Sequence, residues 1–430
     1  MAAGALYVLQ FARRVRISHR QWLLTLFLGG SVLRFLYACL TPYDVRSWDC
    51  RGHLEYVDYV LSAWQLPPAD AGWQFYQPPL YYFGAALWVE FNTYFGRPEI
   101  SMLLDLQLAS CLASIATFGV GLWLGEMLFQ GDEKPMSLWF AGGLAVFPGL
   151  VHFASRISND VPAMLFSFLF LALLVRWWEK GEGREIYLAC GCLCLGLRPK
   201  LPVLPLFGVL AACLILNRKA TLTGKARATL LCLGIIVLST GWLFYLRYGV
   251  EGERSIVGNQ LSQILKVENT PEYFGTFSPM QVCAHPYNDN LRDSERRGFF
   301  WEDLFRSTHF GEFDHGADAR LLAQALLLLA LFGLLLLVAG LAMTMRREAY
   351  DRLPIWLTFV LLVAALFCYR WTTPFASNQD YRFIPLVIVP ALYFVLLTIA
   401  GMPTRWKNAC LTVTSIYYGG SAGFTIWIIA

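Results

Sequence analysis

Apolar runs of about twenty residues recur along the whole chain and decide what it can fold into. A helix rises 1.5 Å per residue, so about 20 apolar residues cross a hydrocarbon core roughly 30 Å thick. Such runs lie at 21–40, 101–129, 136–155, 161–178, 186–198, 201–216, 228–246, 321–343, 354–370, 383–401 and 409–429. Two of them, 186–198 and 201–216, are short and flank Arg198-Pro199-Lys200. Within lipid every backbone polar group must be bonded internally, which leaves a helix bundle as the solution for such a sequence. The expectation is an all-α polytopic integral membrane protein of about 11 transmembrane helices, read as a single transmembrane domain over 1–430. Composition points the same way: 57% of the 430 residues are hydrophobic, only 15% are charged and mean hydropathy is +0.49. Soluble chains carry about 25% charge, so this one is too poor in charge to cover a water-facing surface. Aromatic side chains make up 15%, which suits several membrane–water interfaces. The net charge of +4 is too small to point to a nucleic-acid partner.

Orientation follows from the basic residues. Arg13, Arg14, Arg16 and Arg20 precede the first run and predict a cytoplasmic N-terminus. Neither a cleavable signal peptide nor a soluble domain is read. The segment 80–95 (LYYFGAALWVEFNTYF) is apolar, but it is short, aromatic and interrupted by Glu90 and Asn92. If it does not cross, thirteen basic residues (Lys134; Arg176, Lys180, Arg184; Arg218, Lys219, Lys225, Arg227; Arg346, Arg347, Arg352; Arg405, Lys407) fall in cytoplasmic loops. Five (Arg156, Arg198, Lys200, Arg370, Arg382) then fall in the short outer connections. That asymmetry reads 80–95 as a helix lying in the outer interface. Two long outer segments result, a first loop over 41–97 and a second over 247–320, and any chemistry is expected to face outward.

Most of the 11 cysteines sit in apolar runs and read as small buried residues. Cys190, Cys192 and Cys194 are spaced around a helix and do not form a metal site. Cys50 and Cys283 fall in the outer segments, and a disulfide between them is the hypothesis to test.

The ionisable residues form clusters on the outer side. In the first loop, TPYDVRSWDCRGHLEYVDYV, a helix from Trp48 places Asp49, His53 and Tyr56 on one face. A carboxylate held near a membrane interface is a candidate general base, with Asp44 as a second candidate. The competing reading is that Asp44, Asp49, Glu55 and Asp58 solvate a juxtamembrane helix. Arg156 and Asn159-Asp160 stand where a span meets the outer face, as a site or as a helix cap. Arg198 and Lys200 are either snorkelling anchors or binders of an anionic head group. Tyr381 and Arg382 close the sequence Asn378-Gln379-Asp380-Tyr381-Arg382 at the mouth of a late span, where an arginine fork suits a phosphate. The long loop holds HPYND (285–289) and FFWEDLFRSTHFGEF (299–313), the second read as an amphipathic interfacial helix. His285 and Glu312 are its candidate acceptor-side residues. The spacings of His285, His309 and His315 match no familiar zinc pattern, so a divalent metal is not indicated and no cofactor is called for.

Taken in order, these motifs resemble the GT-C glycosyltransferases, nearest the protein O-mannosyltransferase-like bacterial branch that includes the aminoarabinose transferase of lipid A. The matching residues are Asp49, Gln77-Pro78-Pro79-Leu80-Tyr81-Tyr82, Arg156…Asn159-Asp160, Gly196-Leu197-Arg198-Pro199-Lys200, Ser307-Thr308-His309-Phe310-Gly311-Glu312-Phe313 and Tyr381-Arg382-Phe383. Each is loose alone; their order and sidedness carry the likeness. The resemblance implies transfer of a hexosyl or pentosyl group from a polyprenyl-phosphate sugar to a lipid, glycan or protein acceptor, with inversion. It implies a multi-pass protein of the cell (inner) membrane, or of the endoplasmic reticulum membrane in a eukaryote. Asp49 then corresponds to the base, with Asp44 in reserve. Lys200, Arg198 and Arg382 are the candidate phosphate ligands, and His53, Arg156, Asn159, Asp160 and Tyr381 lie beside them. The chain departs from the family where Asp-Glu is common and Asp49-Cys50 stands, and where Lys often precedes Pro-Pro and Gln77 stands. A large soluble domain is not read after the last span, so an oligosaccharyltransferase-like arrangement is not expected. A transporter or flippase would show paired repeats and mid-membrane ionisable residues, which are not seen. A lipid-linked polysaccharide ligase shares the substrate and stays an alternative. A nucleotide-sugar donor is disfavoured by the lack of an Asp-x-Asp motif.

Overall fold

Short local signals start and stop the helices. Ser18 and Gln21 form a reciprocal capping box ahead of α1 (His19–Leu40). Thr221 caps α10 (Leu222–Ile236), Thr270 caps α11 (Pro271–Gly275) and Ser278 caps α12 (Pro279–Ala284). Gly181, at φ 80°, ends α7 (Asp160–Lys180) in the left-handed conformation that glycine adopts without strain. The remaining helices are α2 (Cys50–Ala63), α3 (Leu80–Tyr94), α4 (Met102–Leu128), α5 (Met136–Val146), α6 (Pro148–Val151), α8 (Glu185–Leu197) and α9 (Pro205–Leu216). They continue with α13 (Phe300–Phe310), α14 (Ala317–Arg347), α15 (Leu353–Thr372), α16 (Ile388–Ala400) and α17 (Thr404–Trp427). This computed structural model describes residues 17–47, 49–98, 101–241, 244–245, 249, 267–288, 299–347 and 350–429, and no β-strand occurs among them. The expectations for Arg13, Arg14, Arg16, Trp48 and Asp289, and for most of 247–266, lie outside the described residues.

Among the described residues six helices are long and apolar enough to cross a membrane: His19–Leu40, Met102–Leu128, Asp160–Lys180, Leu222–Gly241, Ala317–Thr344 and Leu353–Thr372. A seventh crossing results if Met136–Val146 and Pro148–Ser155, bent by 57°, count as one broken span. Three further apolar helices, Glu185–Leu197, Leu201–Leu216 and Pro385–Ala400, are shorter. Every apolar run thus lies on a helix, but proline and polar residues leave several below the length and apolarity of a full span, so the expected eleven are not all established. The helix α3, at 15 residues, is too short to cross, and it exposes Leu87, Phe91 and Tyr94 along one side.

The core lies around α7, which packs against α4 and α8 and buries Phe168, Phe170, Leu171, Leu174, Trp177 and Trp178. Its position depends on the break between α5 and α6. Pro148 holds Phe147 extended at φ −64°, ψ 114°, which frees the last carbonyls of α5. Arg34, buried on α1, answers them: its Nη1 donates to Ala145 O at 3.0 Å and its Nη2 to Leu144 O at 2.9 Å. A charged side chain in a membrane helix here serves as the cap of a broken one. The chain beyond the break, His152–Ser155, then runs directly into the turn ahead of α7.

All eleven cysteines are free thiols. Cys50 packs with Tyr56, Phe75 and Tyr82 between α2 and α3, whereas Cys283 packs with Val282 and Phe310 against α14. The two belong to separate clusters, so the Cys50–Cys283 disulfide is not formed. The segment around α13 also differs from the interfacial helix expected of it. Its charged face points inward: Glu302, Asp303 and Arg306 are 2%, 1% and 3% exposed. Opposite charges at i+3 and i+4 neutralise one another there, with Arg306 at 3.2 Å from both carboxylates, and this lets the polar side turn into the protein.

Candidate active site

Two helix starts turn their capping residues away from their own backbone, one into a crevice and the other beside it. Asp49 stands at the N-cap position of α2 without capping it, and its Oδ2 accepts from Arg382 Nη1 at 2.7 Å. Asn159 stands at the N-cap of α7, again without a side-chain cap. Its Nδ2 donates to Pro199 O at 2.8 Å and to Gln77 Oε1 at 3.3 Å. Asp160, the first residue of α7, pairs with Lys200 and accepts from Ser158 Oγ at 2.9 Å. Asp or Asn at these positions ordinarily stabilises its helix by about 1 kcal/mol. Here those side chains join residues about 40 to 330 positions apart in sequence, a departure from local rules of the kind that functional sites make.

The crevice is lined by Ser47, Asp49, Arg156, Ser158, Asp160, Glu312, Phe313, Asp380 and Arg382, and its free volume is about 10 Å³. Four segments meet in it: the residues just ahead of α2, the turn into α7, the end of α13, and the 3₁₀ turns Ala376–Gln379 and Tyr381–Phe383. Arg156 lies over the Phe153 and Phe313 rings, at 4.9 and 5.4 Å from their centroids. Arg382 Nε approaches Glu312 Oε1 at 3.7 Å, and its guanidinium lies over Phe383 at 5.2 Å. Lys200 Nζ is 4.9 Å from the same ring, on its way to Asp160. An apolar groove leads away from these cations, lined by Ala163, Met164, Val203, Leu206, Leu362, Ile384 and Leu386. Ile384 also borders a second, uncharged cavity of about 500 Å³ among α13, α14, α16 and α17, with His309, Tyr417 and Tyr418 in its wall.

Burial pushes the Asp49 carboxyl up, but Arg382, then His53 and Lys200, more than offset this and hold it below its ordinary value. Burial pushes the Glu312 carboxyl well above the usual range against the opposing pull of Arg382, and neighbouring Asp380 adds to the upward shift. Burial lowers His53 to about 4, so its ring is neutral, and its Nδ1 bonds the Tyr82 hydroxyl at 2.9 Å. Tyr82 stacks in turn on Tyr56 at 3.6 Å, which ties the Asp49 helix to the Pro-Pro-Leu-Tyr-Tyr segment.

Of the residues singled out in sequence, Asp49, Arg156, Asp160, Glu312 and Arg382 meet in the crevice, with Asn159 and Lys200 joined to its wall. His53 lies one turn behind Asp49. Tyr381 is buried, its hydroxyl turned to Pro385 O at 2.9 Å. Arg198 turns aside to Ser239 O, and Asp44 and His285 are exposed and line none of these cavities. Asp380 and Ser158 belong to the crevice and were not picked as site residues; both adjoin motifs that were. Among the described residues no group of three or more His, Cys, Asp or Glu side chains is arranged to hold a metal ion.

No protein-family model matches the chain, and no curated protein matches it by sequence. Solved structures do. ArnT from Cupriavidus metallidurans, solved bound to undecaprenyl phosphate, superimposes over 93% of this chain with a TM-score of 0.55 and 14% identity. The oligosaccharyltransferase of Archaeoglobus fulgidus in its apo form superimposes over 96% of this chain with a TM-score of 0.53 and 12% identity. The chain spans 64% of the first of these proteins and 56% of the second. Both are GT-C glycosyltransferases, and the arrangement of helices described above is the GT-C fold.

Proposed function

We propose that the chain is a glycosyltransferase that moves a sugar from a polyprenyl-phosphate donor to an acceptor hydroxyl, with inversion, on the outer face of the cell membrane. The observation that carries this reading is the Asp49–Arg382 pair at 2.7 Å in a crevice that opens beside an apolar groove headed by Lys200 and Arg382. A carboxylate base beside cations, at the end of an apolar groove, is what a lipid-phosphate leaving group requires. ArnT and the archaeal oligosaccharyltransferase, solved with undecaprenyl phosphate and with a dolichol-phosphate respectively, support the same donor class.

In this mechanism the donor phosphodiester, with one negative charge, docks on Arg382 and Lys200, its first isoprene units in the groove. Asp49 accepts the proton of the acceptor hydroxyl as its oxygen forms the new bond to the anomeric carbon. The bond from that carbon to the phosphate oxygen breaks on the opposite face, and its electron pair leaves on polyprenyl phosphate. The leaving group gains a second negative charge, so the cations bind it more tightly in the transition state than in the ground state. Arg382 leaves Asp49 to bind phosphate, and the carboxylate regains basicity as the donor arrives. General-base assistance of this kind contributes about 10²- to 10⁴-fold. The uncharged 500 Å³ cavity bordering Ile384 favours an acceptor that is itself lipid-borne.

The test is transfer from a panel of polyprenyl-phosphate sugars in membranes bearing the wild type, Asp49→Asn or Asp44→Asn. Loss in Asp49→Asn alone, at equal expression, is the expected result. Transfer that survives in Asp49→Asn overturns the assignment of the base.

A further inference from the structure

Arg382 sits on a stretch of chain that has no regular helix to hold it. Between α15 and α16 the backbone forms three successive 3₁₀ turns, Ala376–Gln379, Tyr381–Phe383 and Pro385–Val387. Turns of this kind are weakly bonded on their own, so side chains must fix the segment. They do so on one face of α13. The Gln379 amide donates its Nε2 to Asp303 Oδ2, and the Tyr381 backbone N–H donates to Ser307 Oγ at 3.0 Å. Asp303 and Ser307 are one helical turn apart on that face, and Gln379, Asp303 and Ser307 are each 1% exposed.

Both ends of the Gln379 amide are used. Its Oε1 accepts from Arg370 Nε at 3.1 Å, near the end of α15, and from the Tyr273 hydroxyl. Asp303 is oriented from its own helix by Arg306 at 3.2 Å. One amide therefore bridges α15 and α13, three residues before Arg382, while Glu312 follows nine residues after Asp303. The two groups that face each other across the crevice, Arg382 and Glu312, hang from the two partners of this bond. A buried charged cluster of this type is weak evidence for stability, since packed apolar residues in its place often stabilise a protein as well or better. Its value lies in the one arrangement it permits. Resting on the donor reading proposed above, we infer that Gln379 and Asp303 are positioning residues: their hydrogen bond fixes the height at which Arg382 enters the crevice and so sets its affinity for the lipid phosphate.

Binding of undecaprenyl phosphate to the full chain in nanodiscs tests this without knowledge of the sugar or acceptor. Gln379→Ala is expected to weaken binding about tenfold, the loss that follows from a misplaced charge-assisted contact worth roughly 1.4 kcal/mol. Some loss of thermal stability accompanies it, because Asp303, Arg370 and Tyr273 each lose a buried partner. Asp303→Asn keeps an oxygen that accepts from Gln379 and is expected to bind within about threefold of the wild type. If Gln379→Ala does not fold, Gln379→Asn keeps the amide and shortens its reach, with the same loss expected. Wild-type affinity in a folded Gln379→Ala or Gln379→Asn protein overturns the inference, as does lowered thermal stability with affinity unchanged. Failure of the wild type to bind, or wild-type binding by Arg382→Gln, instead overturns the donor reading on which the inference rests.

Discussion

Replacing Arg382 by glutamine keeps much of the side chain's volume and removes its charge, and Asp49 reports the loss. Charge centres about 4 Å apart interact by about 4 kcal/mol at an effective dielectric of 20. The Asp49 and Arg382 side chains are 25% and 17% exposed, so solvent screening reduces this to about 2 kcal/mol. Without the cation the Asp49 carboxyl moves up. In the wild type this carboxyl lies below its ordinary value, so the pair stabilises the fold above the unfolded value of about 4 and is lost as pH falls below it. In Arg382→Gln this stabilising interaction is missing, so the loss of stability on acidification shrinks. Infrared difference titration of the carboxyl band, with Asp49→Asn in each background as the blank, reads the midpoint directly. A midpoint above that of the wild type is expected. A midpoint within about 0.3 units of the wild type would refute the electrostatic account of the pair.

Further outcomes follow from the same geometry. A Cβ added at Gly149 falls 2.1 Å from the Thr308 carbonyl oxygen, a clash between backbones that α6 and α13 relieve only by moving apart. Gly149→Ala should therefore cost about 1–3 kcal/mol in denaturant unfolding and lower transfer as well. Lys200→Met leaves Asp160 buried without its cation and should cost about 3–5 kcal/mol, whereas Lys200→Met combined with Asp160→Leu should cost less than either change alone. His53 is held near 4 by burial, so the unfolded chain takes up a proton first as pH falls from about 6.5. Stability measured by thermal unfolding should decline by about 3 kcal/mol from pH 7 to pH 4, and the decline should shrink in His53→Gln.

Much of this molecule was legible in the sequence because lipid imposes few solutions. Runs of twenty apolar residues dictate helices, and the scarcity of acidic and basic residues within them leaves ionisable groups to gather at one end. Asp49, Arg156, Asp160, Glu312 and Arg382 could be named from type and sidedness, although they come from four distant segments. What periodicity misled was α13. Its Phe, Trp and Leu residues gave an amphipathic signal, and the opposite reading, charges turned inward, depended on partners such as Gln379 far along the chain. Arg34 escaped notice for a similar reason, since only the bend at Pro148 creates the carbonyls it bonds. The Cys50–Cys283 pairing rested on sidedness alone, and sidedness does not fix distance. Asp49 was preferred to Asp44 through the family resemblance; the structure sets Asp49 against Arg382 and leaves Asp44 at the surface.

The most direct measurement compares the wild type with Asp49→Asn for both undecaprenyl-phosphate binding and sugar transfer. If Asp49 is the base, the variant keeps or improves its affinity for the lipid phosphate, since Arg382 is freed from its partner, while transfer falls at least 10²-fold. Transfer that persists near the wild-type rate while binding is intact would contradict the account.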